Sequence, residues 1–562
     1  MSIQAIVDLV AICAKKGVKN AILSPGSRCA PLTIAFARHP EITTRTISDE
    51  RSAAFVALGM AQQLEEPVVL VCTSGSAALN YFPAIAEAYF QEAPLLILTA
   101  DRPPEWIDQW DGQTIFQPEV YGKHVKKFFQ FPDSFETNDQ LWYAHRIVNE
   151  AINLSKSGPQ GPIHINIPLR EPFYPKKGEG LIPSSELHVF DQERGIKQLS
   201  ENSLQRLQKS LTDFSRILIV PGQQKPNPSY QFALEQLIQK KNTVVVSDCI
   251  SNLQVEGSIT FHDHWLGNSS INEKLKPDLV ITFGKSLISK SLKLFLRNQQ
   301  VSHWHIQAHE GVKDTFQHLN KILDCEPAYF LNWLVENLPS QNKDYLESWQ
   351  NFEKKVQEKL PTTLESTDFG EYPVLHKILP LIPTSSKIHL ANSMAVRYVN
   401  FLGKRSQEII CNRGTSGIDG TNSTAVGCAL TTSEFVTIIT GDLAFFYDRN
   451  AFWNNYETPN LRIILLNNHA GGIFRLIEGP KEQPELEEYF ETHQALTAKF
   501  LAEEHEFQYS FAKSFPELER ALKDFYEPSS KPKILEIETE SSKNAEILKS
   551  VKAEILNYLK NQ

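Results

Sequence analysis

The apolar run Phe435–Thr440 ends in Gly441-Asp442-Leu443, and 23 residues (Ala444–Leu466) separate this triplet from Asn467-Asn468, which closes the run Leu461–Leu466. That interval holds one crossover helix, so an aspartate and an asparagine stand side by side at the ends of neighbouring strands. A carboxylate, an amide oxygen and a backbone carbonyl form a hard-oxygen half-shell suited to Mg²⁺, with phosphate oxygens and water completing it. Gly441 lets backbone approach a phosphate closely, and a following helix N-terminus favours negative charge. A helix cap and a turn would explain either half alone, but not the pair at this spacing.

Such residues need strands to carry them. Apolar runs ending in small or polar residues alternate with helical patterns, as in parallel α/β domains. The first group comprises residues 21–28, 44–50, 67–75, 93–103 and 161–169, and a Pro/Lys/Gly-rich linker follows at Pro172–Ser185. The second comprises 215–223, 242–249, 277–286 and 301–307, and polar, helix-prone sequence near 335–370 leads to a third at 387–393, 408–420, 435–442, 461–468 and 532–538. These groups predict three tandem doubly wound parallel-sheet domains over residues 1–180, 186–345 and 360–562, the first and third as variations on one plan. Ligands of such sheets collect beyond the carboxyl ends of the strands.

Composition narrows the partners. The 562 residues carry a formal charge of −10 with 41% hydrophobic and 22% charged residues, which fits a folded chain of several domains. No global positive field exists to attract nucleic acid or an anionic membrane. The uncharged stretch Pro67–Ala86 is interrupted by Thr73, Ser74, Gly75, Ser76, Asn80 and Pro83, and reads as strand, loop and helix, not an integral membrane span. The N-terminal stretch reads as an amphipathic helix without signal features. Seven cysteines scattered without CxxC pairs read as reduced structural thiols, and the expected location is cytoplasmic. His262-Asp263-His264 and His303-Trp304-His305 have HxH spacing, but alternation along a strand explains the second pair better than a metal does. Neither a GxSxG elbow nor a P-loop occurs in the sequence.

The paired motif resembles the thiamine-diphosphate signature, a G-D-G followed about two dozen residues later by N-N, with Leu443 in place of the third glycine. The resemblance implies Mg²⁺ (or Mn²⁺) held by Asp442, Asn468 and the carbonyl of Ala470, anchoring the diphosphate. It also implies an acid beside the aminopyrimidine. Glu50, which follows a strand and opens an Ala-rich helix, is the leading candidate to hold N1′ and promote the imino tautomer, with Asp49 its nearest competitor; a dipole-favoured carboxylate at a helix start is the plainer alternative.

Ser24-Pro25-Gly26-Ser27-Arg28, Ser48-Asp49-Glu50-Arg51, Thr73-Ser74-Gly75, Thr99-Ala100-Asp101-Arg102-Pro103, Asn412-Arg413-Gly414-Thr415-Ser416-Gly417-Ile418-Asp419-Gly420 and Gly471-Gly472-Ile473-Phe474 together resemble one family along the whole chain. It is the 2-succinyl-5-enolpyruvyl-6-hydroxy-3-cyclohexene-1-carboxylate synthases of menaquinone (or phylloquinone) biosynthesis. The resemblance implies pyrimidine, middle and diphosphate domains, and decarboxylation of 2-oxoglutarate with addition of the succinyl-semialdehyde unit to isochorismate. It assigns Glu50, Thr73, Ser393, Gly414, Thr415, Ser416, Ile418, Gly441, Asp442, Leu443, Ala444, Asn468 and Phe474 to the cofactor, with Ile418 propping its bent conformation. Two dianionic substrates need fixed cations, and guanidinium holds carboxylate bidentately. The resemblance gives that role to Arg28, Arg102, Arg397 and Arg413, each just after a predicted strand or in an adjoining loop, and to Lys290, with Ser27 and Gln113 as polar substrate contacts and Ile473 and Phe474 as an apolar wall. A surface ion pair is the plainer reading of any single arginine.

Two positions depart from the family pattern. Ser291 replaces an arginine after Lys290, and Ala470 replaces a glycine, where a positive φ would be strained. The resemblance further implies a homodimer or homotetramer with active sites at the subunit interface. Rival readings are an acetohydroxyacid synthase or 2-oxoacid decarboxylase, which needs fewer cations, and a noncatalytic scaffold that binds ligand without turnover.

Overall fold

The computed structural model describes residues 2–176, 178 and 180–561. Among the described residues there are three sheets, built of parallel strands. The first sheet runs, in space, Thr43–Thr46, Asn20–Leu23, Val68–Cys72, Leu95–Asp101, Ile163–Pro168, Lys127–Gln130. The third runs Glu408–Ile410, Lys387–Leu390, Val436–Gly441, Leu461–Asn467, Lys533–Glu538, Gln508–Ala512. Numbered along the chain, both orders are 2-1-3-4-6-5, so the outer sheets do share one plan. The middle sheet runs Leu319–Leu323, Ser302–Ile306, Leu279–Phe283, Ile217–Pro221, Val244–Val245.

Central strands such as Val68–Cys72, Leu95–Asp101 and Leu461–Asn467 are buried along their whole length. Burial on both faces explains their unbroken apolar character. Each sheet also has an outermost strand that sequence reading overlooked: Lys127–Gln130, Leu319–Leu323 and Gln508–Ala512. All three are partly exposed and mix charged or polar residues with apolar ones.

The chain forms two compact units. One comprises Met1–Arg194, Asn412–Val436 and Ala444–Leu461, the other Gly195–Cys411, Thr437–Leu443 and Arg462–Gln562. In the first unit the helix Glu50–Leu64 crosses the helix Thr421–Ala429 at very short range. A Cβ at Gly59 would overlap the Thr424 carbonyl and one at Gly427 the Val56 carbonyl, so glycine is required at both crossing points. Of the predicted linker, positions 177 and 179 lie outside the described residues; Ser184 within it donates its Oγ to Asp8 at 2.6 Å and its N–H at 2.8 Å. Asp8 also bonds His145 at 3.1 Å, so buried polar contacts tie the linker to the first helix.

All seven cysteines are buried. His303 and His305 share one strand face, where both bond the Thr282 hydroxyl at 2.8 and 2.7 Å, and burial pushes each imidazole down to about 4. Among the described residues no helix is long and apolar enough to cross a membrane.

Candidate active site

In a 2-1-3 arrangement the chain leaves strand 1 in one direction and strand 3 in the other, which opens a crevice at their carboxyl ends. In the first sheet those ends carry Ser24–Arg28 and Thr73–Gly75; in the third they carry Asn392–Arg397 and Asp442.

In the first unit, Gly26 lies directly against Thr73, whose side chain a Cβ at position 26 would overlap. Thr73 Oγ1 is buried with no hydrogen-bond partner among the described residues. Ser27 is exposed beside it in sequence, and Arg28 donates to the Leu169 carbonyl at 2.9 Å with its guanidinium over the Phe173 ring. Arg102 pairs with Asp111 at 2.7 Å and donates to the Gly112 carbonyl at 2.6 Å. Those contacts hold the loop that brings the Gln113 backbone against Gly75. Glu50 is the first residue of its helix and half-buried. Its carboxylate acts electrostatically on the buried thiols Cys29 and Cys72, which burial, first of all, raises above the usual thiol range. Asp49 is the helix cap: it accepts from the N–H groups of Arg51 and Ser52 at 2.9 and 3.3 Å and from Asn450 Nδ2 at 2.7 Å.

The loop Asn412–Gly420 belongs to the same unit. Gly420 packs on the Phe55 ring of the Glu50 helix, leaving no space for a Cβ, and Ile418 is 38% exposed. Glu87, absent from the sequence-derived set, anchors this loop. Fully buried, it accepts from Gly414 N at 2.8 Å, Thr415 N at 2.6 Å, Thr415 Oγ1 at 2.7 Å and Gln91 Nε2 at 2.9 Å. The available signal was a lone acid inside the apolar helix Phe82–Gln91. Glu87→Ala removes the acceptor shared by two backbone N–H groups and a hydroxyl, so it is expected to cost about 1–3 kcal/mol. Glu87→Gln, which keeps one acceptor oxygen, should lose less; thermal unfolding midpoints of the two variants check the order.

In the second unit, Asp442 and Asn468 follow neighbouring strands, and Glu371 bonds Asn468 and feels the Asp442 charge. Asn468 Nδ2 donates to Glu371 Oε1 at 2.6 Å, while Asn468 Oδ1 accepts from Ala470 N at 3.0 Å. Burial, and then the nearby Asp442 charge, push Glu371 up to about 7 although Asn468 and Tyr398 bond it. Burial also raises Asp442, partly offset by Gln494, whose Nε2 donates to Asp442 Oδ2 at 2.7 Å and to Asn467 Oδ1 at 3.1 Å. Neither Glu371 nor Gln494 could be found by spacing, because each acts on another side chain across a long stretch of sequence.

Leu443 fills the place of the absent glycine by packing its side chain toward Gly471, next to Phe474. Phe474 lies with Phe490 at 5.7 Å between ring centroids, and Ile473 shares its turn. A Cβ at Gly441 would meet nothing within 4 Å, so space is left beside this backbone. The strain anticipated at Ala470 does not arise there: His469 takes the left-handed conformation, with φ 60°. Ser393, at φ 73°, is strained in the same sense, as are Gln113 and Ser416 in the first unit. Non-glycine residues held this way cluster at functional sites. Arg397 lies within the helix Met394–Phe401, not in a loop, and donates to the Ser393 carbonyl. Lys290 opens the helix Lys290–Asn298 after a middle-sheet strand and is exposed. Ala444, buried, continues the short helix that Asp442 begins.

Twin 2-1-3-4-6-5 sheets with a carboxylate and an amide at adjacent strand ends define a thiamine-diphosphate enzyme. Residues 5–125 match the model of the thiamine pyrophosphate enzyme N-terminal TPP-binding domain, and residues 197–390 that of the middle domain of thiamine pyrophosphate enzymes. Proteins named 2-succinyl-5-enolpyruvyl-6-hydroxy-3-cyclohexene-1-carboxylate synthase resemble the chain almost end to end. The one from Cytophaga hutchinsonii is 48% identical, covering 98% of this chain and 99% of its own length. Those from Christiangramia forsetii and Flavobacterium psychrophilum are 40% and 38% identical, each covering 99% of this chain and 98% of their own. The chain belongs to this synthase family.

Proposed function

We propose that the chain decarboxylates 2-oxoglutarate and adds the four-carbon unit to isochorismate, releasing CO₂ and 2-succinyl-5-enolpyruvyl-6-hydroxy-3-cyclohexene-1-carboxylate for menaquinone biosynthesis. The observation that carries this reading is the Asp442–Asn468 pair at adjacent strand ends of the third sheet, with Glu371 bonded to Asn468 and close enough to Asp442 to feel its charge.

The residues fit the cofactor. Asp442, Asn468 and the Ala470 carbonyl are all hard oxygen donors of the kind Mg²⁺ or Mn²⁺ takes. Asp442 is almost fully buried, and a desolvated carboxylate is stabilised by a cation. The free space beside Gly441 suits a diphosphate, and the unpartnered Thr73 Oγ1 suits a polar ring. Bound thiamine diphosphate supplies the electron sink for losing CO₂ from a 2-oxo acid. The chain's own part is to hold and aim. Glu50 shares a proton with the aminopyrimidine N1′, and Ser393, Gly414, Thr415 and Ser416 position the cofactor while Ile418 props it. Arg28, Arg102, Arg397 and Arg413, with Ser27, Gln113 and Lys290, hold the substrate carboxylates, and Ile473 and Phe474 keep water from the reacting carbon. The working form is a homodimer or homotetramer in which Glu50 of one subunit serves the metal-held cofactor of another.

Incubation with thiamine diphosphate, Mg²⁺, 2-oxoglutarate and isochorismate is expected to give the adduct and CO₂ in equal amounts, read by mass spectrometry. A product from pyruvate alone, with none from this pair, would overturn the assignment in favour of an acetohydroxyacid synthase or decarboxylase.

A further inference from the structure

An asparagine is an ambiguous metal ligand. Its amide presents oxygen on one side and NH₂ on the other, nearly the same in shape, and only the oxygen can bind a cation. Rotation by half a turn about the last side-chain bond would swap them and face the metal with hydrogens. Whatever holds Asn468 in one sense is therefore part of the metal site.

We infer that Glu371 is the positioning residue that locks the Asn468 amide with its oxygen toward the cation; this rests on the metal reading given above. The geometry is a two-sided lock. On one side Nδ2 donates to the Glu371 carboxyl at 2.6 Å, and on the other Oδ1 accepts from Ala470 N at 3.0 Å. The swapped amide would set oxygen against the carboxyl oxygen and NH₂ against an N–H, two repulsive contacts in place of two bonds. The Glu371 contact is the shorter of the two, so it supplies the larger share of this preference.

Glu371 is itself held firmly. It is 2% exposed, its N–H donates to Asn544 Oδ1 at 3.0 Å, and its carboxyl bonds Tyr398. Gly370 before it is closely packed: a Cβ there would stand 2.5 Å from Ile547 Cδ1 and 3.0 Å from Asn544 Oδ1. The orienting oxygen is thus fixed by packing that does not depend on the metal. Partners that orient metal ligands in this way commonly matter by 10–100-fold in metal affinity.

Two conservative variants separate contact from charge. Glu371→Asp keeps the charge but draws the oxygen back by one methylene, out of reach of Asn468. Glu371→Gln loses the charge but keeps an acceptor oxygen at the same distance. Mg²⁺ is titrated calorimetrically into each protein at saturating thiamine diphosphate, with the ligand-free unfolding midpoint as the check on folding. Weakening of about 10–100-fold in E371D, against less than about threefold in E371Q, is expected. E371D binding Mg²⁺ like the parent would overturn the inference, and so would E371Q weakening as much as E371D, which would make the effect one of charge. D442A serves as the reference: undiminished Mg²⁺ binding there would remove the metal reading itself, whereas weak binding in D442A beside normal binding in E371D would sink the role of Glu371 alone.

Discussion

Glu50→Gln is expected to lower kcat by roughly 10²–10⁴-fold, the usual contribution of a positioned proton-transfer group, with thiamine diphosphate bound as tightly as by the parent. Glutamine matches glutamate in shape, so the helix start and its packing are preserved while the exchangeable carboxyl proton is lost. Anchoring is assigned to the diphosphate and its metal, which Glu50 does not touch, so affinity and rate should separate cleanly. Asp49 provides the internal contrast. It already bonds the N–H groups of Arg51 and Ser52 and the amide of Asn450, so it works as a cap. Asp49→Ala should cost about 0.5–2 kcal/mol of stability and leave kcat within a few-fold. Steady-state rates and calorimetric cofactor affinities on both variants decide the matter. Turnover within tenfold of the parent in E50Q would dismiss Glu50 as the acid, and a collapse of kcat in Asp49→Ala would transfer the role to its neighbour.

What the sequence made readable follows from where each element lies. Interior strands of a parallel sheet are buried on both faces, so Pro67–Cys72 or Leu461–Leu466 announce themselves as unbroken apolar runs. The outermost strands Lys127–Gln130, Leu319–Leu323 and Gln508–Ala512 meet a neighbour on one edge only and keep polar residues, and one was overlooked in each sheet for that reason. Yet Thr43–Thr46 and Glu408–Ile410, also outermost, were found, because Thr44–Glu50 and Cys411–Gly420 carry motifs just beyond them.

The site divides along a similar line. Residues assigned to ligands stand at strand ends in recurrent short motifs. Residues that hold those residues, such as Glu87 under Gly414-Thr415, Gln494 on Asp442 and Glu371 on Asn468, stand wherever the fold brings an oxygen or amide into reach. Nothing in local spacing marks them. The left-handed turn after the asparagine pair shows the same limit: the chain meets the geometric need at His469, so Ala470 escapes the strain that its identity suggested.

Asp442→Ala is expected to weaken binding of the Mg²⁺–thiamine diphosphate pair by about 100-fold or more, since a direct ligand should matter at least as much as the outer partners that cost 10–100-fold. The consequence for stability can be calculated. At a cofactor concentration 100 times the parent's Kd, binding raises stability by about 2.7 kcal/mol; after a 100-fold loss of affinity the same concentration yields only about 0.4 kcal/mol. The ligand-free proteins should differ in the other direction or hardly at all. Burial penalises the Asp442 charge more than the Gln494 amide and the Leu443 N–H relieve it, and alanine removes that penalty. The expected pattern is therefore an unfolding midpoint without ligand that is unchanged or higher, combined with near-complete loss of the cofactor-induced rise. A general structural defect gives the reverse, a lowered ligand-free midpoint with the rise retained. Should Asp442→Ala still show the full rise at the parent's cofactor concentration, Asp442 is not a ligand of the metal, and the role given to Asn468 falls with it.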